Sequence, residues 1–175
     1  MNTKKLVLIS ILLSITLMLS YVESIMSINI AIPGFKLGLA NISILISYFL
    51  IERKFSFLIL FLKSIFIFFF TGNVIAFFLS ISGSFFSFMA MVFCMKLNEM
   101  KYIDFGVTGI SVLSAQFHVI GQLISAMIIL KNSIVWYYFP ILSMLSVFTG
   151  FIVGYLAYIV IKNYLKMNKE ISYEK

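Results

Sequence analysis

One stretch of the sequence, residues 105–131, carries polar side chains at helical spacing within an otherwise apolar run. The polar positions recur every three or four residues, so they share one face of an α-helix; they are Ser111, Ser114, His118, Gln122 and Ser125. A helix of about 20 apolar residues crosses a bilayer, which puts this face at membrane depth. Polar groups there are costly unless they face protein or a water-filled cavity. The stripe therefore predicts one wall of a binding site.

The composition of the chain is that of a membrane protein with several spans. Its 175 residues are 62% hydrophobic and 11% charged, and the mean hydropathy is +1.12. Soluble domains are typically about 45–50% apolar and about 25% charged. The net charge of +7 does not indicate a nucleic-acid partner, because the basic residues stand mainly at the ends of apolar runs and no nucleic-acid motif is present.

The apolar runs predict a single transmembrane domain of six helices within residues 1–175. The predicted helices cover residues 5–31, 37–51, 55–71, 74–96, 105–130 and 136–162. With the N-terminus inside, ten basic residues fall on the cytoplasmic side, and only Lys36 and Lys131 fall in outer loops. The positive-inside rule thus predicts that both termini are cytoplasmic. The first run is too long for a signal-peptide core and has no small-x-small cleavage site after it, so we expect a membrane helix.

This topology places most of the buried polar side chains in the outer half of the bilayer. Asn41, Ser82, His118 and Gln122 lie at similar predicted depths, and Lys36 lies in the outer loop beside them. The inner halves of the spans read as nearly all apolar. We therefore expect a cavity that opens outward, with these five residues lining it. Glu23 is expected to be a partner for Lys36 rather than a proton relay.

Lys63 is the one basic residue inside a predicted span, about eight residues from its cytoplasmic end. An unpaired ammonium at that depth costs several kcal/mol, so it must meet a carboxylate, carbonyls, water or a bound anion. Two interpretations are open: a contact to substrate, or a packing lysine bonded to carbonyls or serines. His118 and Gln122 have a similar alternative, an interhelical hydrogen-bond pair without a ligand.

Motifs for catalysis and metal binding are absent from the sequence. There is no G-x-x-x-x-G-K-[ST] phosphate loop and no H-E-x-x-H, and one histidine with one cysteine does not supply a typical zinc set. Prenyl-chain synthesis by the usual route needs paired aspartates, whereas Asp104 is the only aspartate. We therefore expect no enzymatic activity, no metal site and no cofactor. On the first helix, Ser10 and Ser14 form a small-residue face suited to packing within the chain or to docking of a partner membrane subunit.

Three segments resemble the Gx transporter family, also called heptaprenyl diphosphate synthase component I. They are residues 33–41 (PGFKLGLAN), 80–83 (SISG) and 118–122 (HVIGQ). The family usually has Asn where this chain has Val119, and an arginine where Lys63 stands. The resemblance implies a six-helix bundle like the S component of an energy-coupling-factor (ECF) importer, in a bacterial plasma membrane. It also implies partners: one ECF-type transmembrane subunit and two ATPase subunits.

Together these features predict a substrate-binding subunit that captures a small molecule from outside. Its predicted site consists of Lys36, Asn41, Lys63, Ser82, His118 and Gln122, and Ser10 and Ser14 are its predicted docking residues. One alternative is a non-catalytic accessory component of heptaprenyl diphosphate and menaquinone side-chain synthesis, with a prenyl diphosphate synthase subunit as partner. Another is a structural subunit that binds no ligand.

Overall fold

The structure, a computed structural model, describes residues 3–26, 36 and 38–173, and in this part of the chain it is all-helical apart from turns and short connections. Its helices are α1 (Thr3–Met26), α2 (Asn41–Leu50), α3 (Arg53–Thr71), α4 (Val74–Glu99), α5 (Val107–Leu130) and α6 (Phe139–Tyr173), with a 3-10 turn at Ser133–Tyr138 before α6. All except α2 are long and apolar enough to cross a membrane. The predicted helical class is confirmed, as are five of the six predicted spans by length and composition.

The second predicted span is shorter than the sequence indicated. α2 has 10 residues, a length of about 15 Å at 1.5 Å per residue, whereas a hydrocarbon core is about 30 Å thick. Gly38 precedes it with a φ of 85°, and its carbonyl accepts a hydrogen bond from the N–H of Asn41 at 3.0 Å. The turn at residues 38–40 is as apolar in sequence as the helix that follows. Hydropathy alone does not distinguish the two, and the predicted helix therefore started at residue 37.

Other helix ends differ from the predicted bounds because hydropathy marks apolar segments and not hydrogen-bonded ends. α3 and α4 extend into charged residues, to Arg53 and Glu99. α6 begins only after the 3-10 turn but continues to Tyr173, well past the predicted end at 162. α5 starts at Val107 rather than 105. The predicted residues 27–31 of the first helix lie outside the described part of the chain.

The six helices close into a ring in the order α1, α3, α4, α5, α6, α2, and α2 also packs on α3. Two apolar clusters hold the ring together. The larger lies toward the predicted cytoplasmic end and includes Leu45, Ile59, Leu60, Phe88 and Ile110. The smaller joins α4, α5 and α6 and includes Leu79, Val119, Leu123 and Leu142. Large apolar side chains also cover the outside of the ring, as expected for a surface that faces lipid.

The closest helix approach in the site region is a glycine-on-glycine crossing between α4 and α5. A Cβ atom on Gly121 would lie 2.8 Å from the carbonyl oxygen of Ser82 and 3.0 Å from the Cα of Gly83. A Cβ atom on Gly83 would lie 2.8 Å from Gln122 and 2.9 Å from His118. Both glycines are thus required for contact at this distance. The crossing fixes the position of His118 and Gln122 against α4.

We expect Gly121→Ala to destabilise the protein by about 1–3 kcal/mol, because the added methyl group must push two helix backbones apart. The measurement is thermal unfolding followed with a thiol-reactive dye, since Cys94 is the only cysteine and is buried in the folded protein. Gly106→Ala is the matched control, because nothing lies within 4 Å of its added Cβ. Equal unfolding midpoints for the two variants would contradict the close crossing.

Candidate functional site

Six polar side chains from α1, α2, α3, α5 and the chain before α2 gather inside the ring. They are Glu23, Lys36, Asn41, Lys63, His118 and Gln122, named here the buried polar cluster. Asn41 is partly exposed, and the other five are at most 3% exposed. Burial of this many polar groups is costly unless they bind one another, water or a ligand. The cluster is therefore the candidate functional site.

A chain of hydrogen bonds runs through the centre of the cluster. The Nζ of Lys63 donates to Oδ1 of Asn41 at 2.9 Å, and Nδ2 of Asn41 lies 3.4 Å from Nδ1 of His118. Lys63 thus meets neither lipid nor a carboxylate in the described residues, but an amide that also contacts the histidine. The helical stripe places Gln122 one turn beyond His118, on the same face of α5.

The chain before α2 is fastened to the end of α1 by a carboxylate. Oε1 of Glu23 accepts a hydrogen bond from the backbone N–H of Leu39. Gly38 lets this segment approach α5 closely, because an added Cβ would lie 3.1 Å from Nδ2 of Asn41 and 3.7 Å from Cδ2 of His118. Its positive φ also favours glycine. The segment around Gly38 thus forms one wall of the cluster and faces His118 of α5.

Lys36 is buried but has no hydrogen-bond partner for its Nζ in the described residues. The expected ion pair with Glu23 is wrong: Glu23 binds the backbone of Leu39 instead. The pKa of Lys36 is lowered from its ordinary value to about 7, mainly by burial and also by the positive charge of Lys63, while the charge of Glu23 opposes the shift. A free ammonium in a buried site is suited to bind an anion.

The lowered pKa of Lys36 predicts that the ligand-free protein becomes more stable as pH rises from about 7 to about 10. Over that range the unfolded chain keeps its proton on this lysine while the folded chain does not, so the unfolded state binds more protons. The check is the thermal midpoint of the circular-dichroism signal at several pH values. In Lys36→Met this part of the pH dependence should vanish, and an unchanged profile would contradict the assignment.

Several other buried polar atoms of this region have no partner among the described residues. They include Oε2 of Glu23, Nε2 of His118 and both side-chain amide atoms of Gln122, together with the hydroxyls of Ser20 and Ser80. Each such atom costs about 1–3 kcal/mol when it is left unpaired. A bound molecule that supplied both donors and acceptors would remove this cost.

The inner half of the bundle is less apolar than we expected from the sequence. A narrow cavity of about 20 Å³, large enough for about one water molecule, continues from Asn41 toward the predicted cytoplasmic end. Its polar lining comes from α4, α5 and α6 and consists of Ser84, Ser87, Ser111, Ser114 and Thr149. The hydroxyls of Ser84 and Ser114 have no partner in the described residues. Serines were underestimated because their small side chains barely change the hydropathy of a span.

The structure brings together five of the six residues predicted for the site: Lys36, Asn41, Lys63, His118 and Gln122. Ser82 is used differently, because its hydroxyl donates to the carbonyl oxygens of Phe78 at 2.8 Å and Gly121 at 3.0 Å. It secures the crossing of α4 and α5. The sequence interpretation missed the roles of Gly38 and Gly121, although both stand within the quoted segments and glycine there signals close approach.

Two further predictions concern metals and partners. The described residues contain no group of three or more His, Cys, Asp or Glu side chains placed to hold a metal ion. Ser10 and Ser14 are exposed on α1, and their hydroxyls donate to the helix's own carbonyls, those of Leu6 at 3.1 Å and Ser10 at 2.9 Å. They present a small, internally satisfied surface. Whether a partner binds there stays a prediction.

Comparison with known proteins gives one match. The model of the family described as heptaprenyl diphosphate synthase component I matches residues 12–160, well over half of the chain. Searches of curated proteins and of solved structures found nothing that matches. The matched range includes α2 to α5 entirely and every residue of the buried polar cluster.

Proposed function

The chain belongs to the heptaprenyl diphosphate synthase component I family, and we propose that it is the substrate-binding membrane subunit of an ECF-type importer. It captures a small molecule from the outside and catalyses no reaction itself. The observation that carries the proposal is the buried polar cluster, in which an ammonium, an imidazole nitrogen and an amide have no hydrogen-bond partner among the described residues. A purely structural bundle gains nothing from leaving so many buried polar atoms unpaired.

The position of the cluster supports capture from outside. It lies where α1 ends and α2 begins, and the positive-inside rule predicts that this end of the bundle faces outward. The chain between α1 and α2 carries Lys36 into the site, so a ligand that reaches the cluster meets a positive charge there. The serine-lined cavity beneath Asn41 supplies a polar continuation toward the cytoplasm.

Import against a gradient requires energy from partner subunits, because the sequence has no phosphate loop of its own. We propose one ECF-type transmembrane subunit and two ATPase subunits as partners. The exposed Ser10 and Ser14 face of α1 supports a docking surface, since small residues allow close helix approach in membranes. The bacterial plasma membrane is the proposed location.

The test of this function is the double variant His118→Ala/Gln122→Ala, compared with wild type in cells and after purification. It removes the imidazole and the amide that have free atoms in the cluster. We expect cellular uptake of the ligand that the wild-type protein retains to be abolished, while the amount of protein in the membrane stays the same. Gln116→Ala is a control on the same helix, because Gln116 bonds to Ser143 and Ser146 of α6 and not to the cluster. Unchanged transport in the double variant would overturn the site.

The family description favours a second candidate, a non-catalytic component that acts with a prenyl diphosphate synthase subunit. In that case the cluster would hold an isoprenoid diphosphate or a group of the partner enzyme. The two functions separate in one assay: prenyl product formation by the soluble synthase with and without this protein. Stimulation that depends on the buried polar cluster would favour the synthase role, and its absence together with ligand uptake would favour import.

A further inference from the structure

The hydrogen-bond chain through the cluster has a fixed direction. Lysine has only donors, so the atom of Asn41 that meets Lys63 at 2.9 Å must be the amide oxygen. The other end of the amide is then the nitrogen, a donor, and it points at Nδ1 of His118 at 3.4 Å. We assign Nδ1 as the acceptor of this contact, so that it carries no proton. His118 is therefore neutral, with its proton on Nε2.

This direction makes His118 a donor toward the site. Its Nε2–H has no partner in the described residues, and neither has the Nζ of Lys36. Two free donors of this kind, one of them cationic, match the oxygens of an acidic group. The remaining free atoms, Oε2 of Glu23 and the amide of Gln122, offer acceptors and one further donor. They match a neutral polar group that can donate hydrogen bonds.

The charge of the site limits the charge of the ligand. With Lys36 protonated, as it is when an anion is bound beside it, the cluster holds two charged lysines and one glutamate, a formal charge of +1 with a neutral His118. Residues 27–35 and Leu37, which complete the α1–α2 connection, contain no charged residue that could alter this sum. One negative charge balances the site, whereas a phosphate ester carries about −1.5 to −2 and would leave buried charge in excess.

From these contacts we infer that the ligand is a small monocarboxylic acid that also carries an uncharged N–H or O–H group. Lys36 and the Nε2–H of His118 hold its carboxylate, while Glu23 and Gln122 bind the uncharged group. The inference rests on the proposed function, since it names the class of molecule that the capture subunit takes. It excludes diphosphate and phosphate esters as ligands of this site.

The test identifies the head group of whatever the protein retains. Wild-type protein is purified from membranes and denatured, and the released small molecules are analysed by accurate mass before and after carbodiimide coupling to an amine. We expect a compound that gains one coupled amine and contains no phosphorus. A phosphorylated compound, an amino acid with an ammonium group, or a compound without a carboxyl group overturns the inference while leaving capture intact. If no compound is retained and the assay described next gives no response, both the ligand class and the proposed capture function are overturned.

A second arm uses head-group analogues on one ring: benzoate, benzamide, phenyl phosphate and benzylamine. The readout is the unfolding midpoint reported by the buried thiol of Cys94, with each compound in turn. Benzoate should raise the midpoint of wild type more than the other three. In Lys36→Gln its apparent affinity should fall at least tenfold, while Lys131→Gln, a change of an exposed lysine in a different predicted outer loop, should leave it unchanged. A larger shift with phenyl phosphate, or equal shifts for all four, contradicts the assignment.

Discussion

Replacing Lys63 with methionine is expected to weaken ligand retention by about 10- to 100-fold and to reduce uptake in proportion. The ammonium of Lys63 donates to Oδ1 of Asn41 from a position that is 1% exposed. If the orientation that this bond gives to Asn41 and His118 is lost, one charge-assisted contact to the ligand, about 1.5–3 kcal/mol, is lost with it, and about 1.4 kcal/mol corresponds to a tenfold change in affinity. Without Lys63 the amide of Asn41 is free to turn, so Nδ1 of His118 no longer has a fixed donor.

Methionine is the informative replacement because it keeps the length and the apolar stem of the side chain. The change removes a costly buried charge but leaves Oδ1 of Asn41 without its donor, so the unfolding midpoint and the amount of protein in the membrane are measured beside retention. Retention is measured by native mass spectrometry of the purified protein. Lys54→Met, at an exposed position of α3, is the control. Full retention in Lys63→Met would make this residue a packing lysine, the alternative left open by the sequence.

The part of the site on a single helix was predictable from residue spacing alone. The three-and-four spacing of α5 placed five polar residues on one face; Ser111, Ser114, His118 and Gln122 are buried, and Ser125 is only half-buried. Spacing works within a helix because 3.6 residues per turn fixes which side chains are neighbours. The depth of Lys63 was predictable for a related reason, since an ammonium within an apolar run has to find a polar partner inside the bundle.

Contacts between helices could not be read in the same way. Asn41 and His118 are 77 residues apart in sequence, and nothing in their separate patterns fixes their mutual distance. Ser82 was predicted to face the ligand because of its depth, but its hydroxyl crosses to the carbonyl of Gly121. The deciding features are the approach of α4 to α5 at two glycines and the turn at Gly38. Both are possible because glycine has no Cβ atom, and hydropathy does not register this. The short α2 follows from the same turn.

Ser10→Phe/Ser14→Phe is expected to abolish uptake and to leave ligand retention within about twofold of wild type. Both serines are exposed on α1, and only 22% of the apolar window of this helix is buried, the smallest share among the five candidate spans. Their hydroxyls bond to the helix's own carbonyls, so their contribution to a partner is close approach of the backbones. Two phenyl rings would hold a neighbouring membrane helix several ångströms away. Neither residue belongs to the buried polar cluster, which should stay intact.

Ser10→Ala/Ser14→Ala is the matched control for that variant, because alanine keeps the surface small while it removes both hydroxyls. If close approach is what matters, the alanine pair transports at the wild-type rate and the phenylalanine pair does not. Uptake assays on cells give the first measurement, and co-purification of ATPase subunits gives the second. Undiminished uptake by the phenylalanine pair would move the docking surface to another helix, and loss of ligand from the purified variant would show that this face supports the site from within the chain. Under the proposed function, the two variants thus separate capture of the ligand from the coupling that would release it inward.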